Sequence, residues 1–194
     1  AAHCAVLTGV DTVLMDHARL NVRLTAEQLD IDPPVRQPVR VVLDSDLRLT
    51  PSAPMFLVDA PVWIYTRDPK RGIHRDGLAE RGAQLITVPE NDDRPGLNLT
   101  AILEDLAARG INELMVEAGA KLAGSFIAQD LADELVVYQA PMLLGNPARP
   151  ATALPEVESL DSARHWQLTD VARLDSDLRL TLRKIPDTLK NCLE

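Results

Sequence analysis

The chain has 194 residues, of which 46% are hydrophobic and only 3% aromatic, and its formal net charge is −9. This length suits one large domain with a mostly aliphatic core, and the acidic balance argues against a nucleic-acid-binding protein. The apolar runs are too short to cross a bilayer, so we expect no membrane-spanning segment.

Short apolar runs recur along the chain and predict β-strands. Several are nearly continuous, which is typical of strands buried on both faces of a largely parallel sheet. The predicted strands are Cys4–Thr8, Val39–Ser45, Val62–Thr66, Gln84–Val88, Glu113–Glu117, Glu134–Ala140, Trp166–Val171 and Asp177–Arg183. The last two alternate polar and apolar residues, and this alternation predicts an antiparallel hairpin.

Helical patterns lie between these strands. Asn98 is a predicted N-cap, hydrophobic residues follow at helical spacing from Leu99 to Ala107, and Gly110 ends the helix. Two further helices are predicted over residues 74–81 and 121–129. Together with the hairpin, these elements predict a single mixed α/β domain.

The cysteines and histidines argue against disulfides and against a metal site. Cys4 and Cys192 stand near opposite ends of the chain without Cys-x-x-Cys spacing, which is typical of a reduced, cytoplasmic protein. The four histidines are scattered, and none lies at metal-ligand spacing from another His or from a Glu. We therefore expect a cytoplasmic chain that holds no metal.

The run from Leu114 to Ser125 carries the strongest functional signal. A strand ends in Glu117, passes through a turn with two glycines and enters a helix. Backbone N–H groups and the positive end of a helix dipole beside a carboxylate suit a phosphate next to a polar substrate group. Many α/β domains use the same turn only to pack a helix against a sheet, and this alternative stays open.

Three other segments contribute candidate groups. Thr8–Asp16 leaves a strand through Gly9, and its hydroxyls suit a cofactor ribose or phosphate, or the cap of a helix or turn. Arg23 suits a phosphate, or is a solvated surface residue. The Asp44-Ser45 strand end is either part of a site or a turn. The sequence has no P-loop, nucleophile elbow or Gly-x-Gly-x-x-Gly fingerprint.

Taken in order, these segments resemble a known family. The motifs are Ala5–Asp16, Leu20–Arg23, Arg36–Ser45, Gly110–Asn112, Val116–Gly119, Leu122–Gly124, Leu131–Leu135 and Ala140–Gly145. They resemble the reductase domain of the bacterial bifunctional riboflavin-biosynthesis deaminase/reductase from about Ala5 to Leu182. The chain departs from the family pattern at His17-Ala18, at Lys121 and at Met142.

This resemblance implies a dihydrofolate-reductase-like α/β fold, with a mixed, mostly parallel sheet, helices on both faces and a C-terminal antiparallel hairpin. It implies one reductase-like domain over residues 1–194, without the family's first strand and helix and without the N-terminal deaminase domain. It further implies a homodimer that uses NADPH to reduce the ribosyl group of 5-amino-6-(5-phosphoribosylamino)uracil to ribityl.

By position, the resemblance assigns binding residues but no catalytic side chain, because the hydride comes from the cofactor. The residues expected to face the small phosphorylated pyrimidine substrate are Leu20, Arg23 and Glu117. Those expected to contact NADPH are Thr8, Thr12, Asp16, Ser45, Gly119, Ala120, Lys121, Leu122, Ala123, Gly124 and Ser125. Two other functions stay open: a related reductase acting on another pterin or pyrimidine, and a nucleotide-binding module without turnover.

Overall fold

The computed structural model describes residues 3–70, 72–91, 95–145, 147–156, 159 and 163–185, and every element below lies within them. The chain forms two compact units, one ending at Ala123 and one beginning at Gly124. The single domain expected over residues 1–194 stays a prediction, and the two units are described separately.

The first unit alternates strands and helices. Its elements are β1 Ala5–Gly9, α1 Val10–Asp16, β2 Val39–Leu43, a 3-10 helix Pro54–Leu57, β3 Val62–Thr66, α2 Arg75–Glu80, β4 Gln84–Thr87, α3 Leu99–Ala108 and β5 Leu114–Val116. A further helix, α4, runs from Ala120 to Ala128. Each strand and helix predicted in this region forms within three residues of its expected bounds.

The strands of this unit make one parallel sheet with the order β4-β3-β2-β1-β5. Strand β1 lies between β2 and β5, and its Leu7 is opposite Val41 in β2 and Val116 in β5. Leu7, Val41 and Ile64 are fully buried, as expected for parallel strands that are covered on both faces. The predicted mostly parallel sheet is therefore confirmed.

Helix α3 forms as its local sequence predicts. The Asn98 side chain accepts a hydrogen bond from the Ala101 N–H at 3.0 Å, which satisfies one of the N–H groups left without an intrahelical partner in the first turn. Leu99, Ile102 and Leu106 are buried along one face of the helix. Gly110 follows the helix with a φ of 83°, a left-handed conformation that glycine adopts without strain.

The second unit contains a three-stranded antiparallel sheet with the order β6-β8-β7. These strands are β6 Glu134–Gln139, β7 Trp166–Leu174 and β8 Asp177–Lys184. The predicted hairpin is confirmed as β7–β8, and its turn places Asp175 at a φ of 52°. The hairpin pairs with β6 and not with one of the parallel strands: β8 is antiparallel to β6 along the whole length of β6.

A group of hydrogen-bonded side chains joins β3 to α3. Tyr65, which is fully buried, donates its hydroxyl hydrogen to Asp105 Oδ2 at 2.7 Å. Arg109 donates from Nε to the same oxygen at 2.6 Å and lies 5.3 Å from the centre of the Trp63 ring. Burial alone would raise the pKa of Asp105, but the hydrogen bonds from Arg109 and Tyr65 outweigh burial and lower it.

We expect Asp105→Asn to lower the free energy of unfolding at neutral pH by about 1 kcal/mol, after allowance for solvent screening of the ion pair. The folded-state pKa of Asp105 lies below its ordinary value of 3.8. Its ionised form therefore stabilises the fold above that value, and this contribution is lost as the pH falls through the folded-state pKa. Urea unfolding of both proteins at a series of pH values measures the difference.

Glu104→Gln is the matched control, because it removes a charge from an exposed neighbour in the same helix. It should change the unfolding free energy little at any of these pH values. A deficit in Asp105→Asn that stays constant down to about pH 3 would contradict the role assigned to the ionised carboxylate.

Candidate active site

The parallel sheet has a topological switch point between β1 and β5. From β1 the chain adds β2, β3 and β4 on one side, and then places β5 on the other side of β1. In open α/β sheets, ligands bind in the crevice that such a switch opens at the carboxyl ends of the strands.

Glu117 follows β5 at this switch point. Its N–H donates to the Leu7 carbonyl at 3.0 Å, and its own carbonyl accepts the Thr8 hydroxyl hydrogen at 2.5 Å. The backbone of Glu117 is thus held by β1, while its carboxylate side chain is exposed. Glu117 lies at the carboxyl edge of the sheet, whereas Thr8 is completely buried and its hydroxyl donates to a backbone carbonyl.

The turn after Glu117 leads directly into α4. The Gly119 carbonyl accepts hydrogen bonds from the N–H groups of Leu122 and Ala123, both at 3.1 Å, so the helix begins at Ala120. A Cβ at Gly119 would meet no atom within 4 Å, whereas a Cβ at Gly9 would lie 3.6 Å from the Leu122 side chain. The first turn of α4 therefore lies beside the end of β1, with open space at Gly119.

This arrangement fits a dinucleotide phosphate. The N–H groups of a first helical turn lack intrahelical acceptors, and the helix dipole favours an anion there. Ala120 and Lys121 occupy that turn, and the Lys121 side chain is exposed. The open space at Gly119 gives a phosphate close access to the backbone.

A tight loop after β2 carries Ser45. Asp44 is fully buried, and its Oδ2 accepts a hydrogen bond from the Leu49 N–H at 2.7 Å. The Ser45 carbonyl accepts the Thr66 hydroxyl hydrogen at 3.0 Å. Sequence reasoning gave no role to Thr66, because nothing local shows that a threonine ending β3 reaches the loop after β2.

Helix α1 carries two of the residues predicted to contact the cofactor. Thr12 is half-buried and Asp16 is exposed. Beside them, Arg48 donates to Asp11 at 2.7 Å, which links the loop after β2 to the first turn of α1. This hydrogen bond is the main reason that the pKa of Arg48 is raised. The structure thus places α1 next to the Ser45 loop, and the predicted cofactor contacts of Thr12, Asp16 and Ser45 stay predictions.

The segment after α1 carries the remaining predicted substrate residues. Leu20 is buried and has a φ of 51°, a strained conformation for a leucine. Arg23 is exposed. Gln37 holds this segment, since its Oε1 accepts from the Val22 N–H at 2.9 Å. Sequence reasoning missed Gln37, because the contact joins residues 15 positions apart in a segment without regular structure.

Gly124 and Ser125 belong to α4 but lie in the second unit. Gly124 is buried, and a Cβ added there would fall on the backbone of Ala153. Ser125 is half-buried, and its carbonyl accepts the N–H of Gln129 at 3.1 Å. Close backbone packing therefore accounts for the glycine at position 124, and its predicted contact with the cofactor stays a prediction.

A cavity of about 280 Å³ lies away from this edge, where β2 and β3 begin. Its lining includes Arg40, Asp59 and Arg81. Arg40 is almost fully buried and donates to the carbonyls of Met55, Val58 and Ala60, so it closes the loop that contains the 3-10 helix. The cavity is therefore beside a structural arginine rather than at the switch point.

The described residues were also compared with the features of metal sites and of membrane-spanning helices. Within the described part of the chain, no cluster of His, Cys, Asp or Glu could hold a metal ion. Among the same residues, the helices are all too short or too polar to span a bilayer.

Comparison with known proteins gives concordant matches. Residues 1–180 match the family described as the RibD C-terminal domain. The riboflavin biosynthesis protein RibD of Haemophilus influenzae is 38% identical over 93% of this chain and 48% of its own length. The 5-amino-6-(5-phosphoribosylamino)uracil reductase of Buchnera aphidicola is 29% identical over 94% of this chain and 87% of its own length.

A solved structure agrees with these matches. RibD of Acinetobacter baumannii superposes with a TM-score of 0.80 and 32% identity, over 95% of this chain and 47% of that one. This chain therefore spans about half the length of the RibD proteins that it matches.

Gly119 and Gly124 should respond differently to alanine, because Gly119 lies in the turn, whereas Gly124, predicted to lie in the same turn, is inside α4. Gly124→Ala is expected to lower the free energy of unfolding by about 1–3 kcal/mol, because the new Cβ would collide with the backbone of Ala153. Gly119→Ala is the matched control for stability, since its Cβ would point into open space. Thermal or urea unfolding of the two variants compares them, and equal destabilisation would contradict the packing role of Gly124.

Proposed function

Because this chain belongs to the RibD C-terminal domain family, we propose that it reduces the ribosyl group of 5-amino-6-(5-phosphoribosylamino)uracil to ribityl in riboflavin biosynthesis, with NADPH as the reductant. The name of the Buchnera relative supports this choice of substrate. A reducing cytoplasm is the proposed compartment, in keeping with Cys4 as a free thiol.

One observation carries the proposal: the carboxylate of Glu117 and the first turn of α4 lie together at the switch point of the sheet. An acid suits the polar groups of a pyrimidine or a ribose, and helix amides suit a pyrophosphate. The groups proposed to hold the substrate and the dinucleotide are thereby adjacent in this chain.

The side chains of this site bind and orient rather than react. When bound, the nicotinamide would supply the hydride. Glu117 would accept hydrogen bonds from the substrate, and Arg23 would hold its phosphate. Thr12, Asp16 and Ser45 would line the cofactor, with the amides of the α4 first turn at its phosphates. Holding two reactants in a fixed geometry is itself a large source of rate enhancement.

We also propose that the protein is a homodimer, because the sheet of the second unit exposes an apolar face. Val137, Leu180 and Val171 lie opposite one another on β6, β8 and β7 and share this face. Val171 and Leu168 on it are each 52% exposed. The reverse face is more polar, because it carries the ion pair between Arg179 and Asp170. A second copy of the chain would cover the apolar face from water.

Two substitutions test the substrate contacts. Glu117→Gln and Arg23→Ala each remove one charge-assisted hydrogen bond, worth roughly 1.5–3 kcal/mol. Each is therefore expected to lower kcat/KM for the pyrimidine by about 10- to 150-fold. Loss of the nicotinamide absorbance, followed with this substrate and with other pterin and pyrimidine phosphates side by side, measures the change.

Glu113→Gln and Arg81→Ala are the matched controls. Glu113 precedes β5 and Arg81 precedes β4, so both lie at the opposite edge of the sheet. Both controls should keep wild-type turnover. Unchanged kinetics in Glu117→Gln and Arg23→Ala would contradict the assigned roles, and NADPH binding without oxidation would favour a module without turnover.

The dimer is tested by a charge placed on each face of the same sheet. Val171→Glu is expected to shift the protein to monomers, since a carboxylate in an apolar interface must be desolvated. Val136→Glu, on the reverse face of β6, is the matched control and should leave the dimer intact. Sedimentation equilibrium measures the mass, and a monomeric wild type would contradict the proposal.

A further inference from the structure

Two buried threonines stand at the carboxyl edge of the sheet. Thr8 is the last residue but one of β1, and Thr66 is the last residue of β3. Both are fully buried. In each case the hydroxyl donates to a backbone carbonyl just beyond a neighbouring strand: Thr8 to Glu117 after β5, and Thr66 to Ser45 after β2. We call these two contacts the Thr8 pin and the Thr66 pin.

We propose that the two pins are positioning devices: the Thr8 pin sets Glu117 for the substrate, and the Thr66 pin sets Ser45 for the cofactor. This inference rests on the proposed function, and it adds Thr66 to the residues on which the site depends. It also changes the expected role of Thr8, which acts on the site through Glu117 instead of touching the cofactor.

The chemistry of a buried hydroxyl supports this assignment. Valine has nearly the same shape, favours strands equally and brings no polar atom into the core. A buried hydroxyl therefore needs a hydrogen bond to offset its desolvation. At both positions the bond goes to a carbonyl outside the regular strand pairing of its own element, where the position of the turn would otherwise be less restrained.

Each pin acts on a different predicted contact. The Glu117 backbone is held twice by β1, through the Leu7 carbonyl and the Thr8 hydroxyl. The Ser45 carbonyl is held by the Thr66 hydroxyl at the end of β3 and, at 3.4 Å, by the N–H of the next residue, Arg67. Since the pins share no residue and lie on opposite sides of β2, each can be removed without the other.

Steady-state kinetics of Thr8→Val and Thr66→Val measure the effect of each pin separately. Thr8→Val should raise KM for the pyrimidine by about tenfold, and Thr66→Val should raise KM for NADPH by about tenfold, with much smaller effects on the other ligand. Thr8→Ser and Thr66→Ser keep the hydroxyl and should recover most of the loss. Thr87→Val, at the exposed end of β4, is the control for the substitution itself.

Serine variants as impaired as their valine counterparts would overturn the proposal, because that result traces the effect to packing. Equal changes in both KM values in both valine variants would overturn it as well. If a valine variant fails to fold, the alanine variant replaces it, since alanine also lacks the hydroxyl and can be compared with serine.

Backbone hydrogen exchange shows whether the role assigned to the pins is wrong or whether the proposed function is wrong. Thr8→Val should speed exchange around residues 117–119 and leave Ser45 unchanged, and Thr66→Val should do the reverse. A wild-type protein that oxidises no NADPH with the pyrimidine contradicts the proposed function. Hydrogen exchange in the valine variants then tests the two pins independently of turnover. Unchanged exchange at both places in the valine variants would overturn the pins whatever the turnover.

Discussion

The position of β1 between β2 and β5 is the constraint on which the rest of the structure depends. Its pairing with β2 on one side and β5 on the other creates the switch point, and Leu7 serves both ladders at once. Parallel pairing brings the carboxyl ends of all these strands to one edge. The turn with Glu117 and the turn with Gly9 therefore lie side by side at this edge, which is where open α/β sheets bind ligands.

The buried polar residues share one task, which is to hold loops. Among the described residues, those that are buried and polar or charged are Thr8, Arg40, Asp44 and Thr66. Each one satisfies backbone groups that lack a partner in regular structure, as buried polar groups in proteins generally do. Three of the four serve the carboxyl edge, so the polar part of the core fixes the turns that form the candidate site.

Local patterns were a good guide to the elements and a weaker one to individual contacts. The strands and the helices formed close to their predicted bounds, because apolar periodicity and capping act over a few residues. Strand ends were less exact: the predicted strand to Ser45 stops at Leu43, where the Asp44 side chain bonds to Leu49 and turns the chain. The pairing of the hairpin with β6 depended on contacts between residues 39 to 49 positions apart, from Gln139 with Leu178 to Glu134 with Arg183.

For the candidate site, the sequence alone determined the kinds of residue and their order: a carboxylate, a glycine turn and a helix start. These are properties of one short segment, so they can be read without knowing what surrounds it. Only the tertiary structure decided which residues face solvent, as Glu117 and Arg23 do, and which are buried, as Thr8 and Leu20 are. Burial and pairing depend on strands distant in the chain, and their proximity is a product of folding.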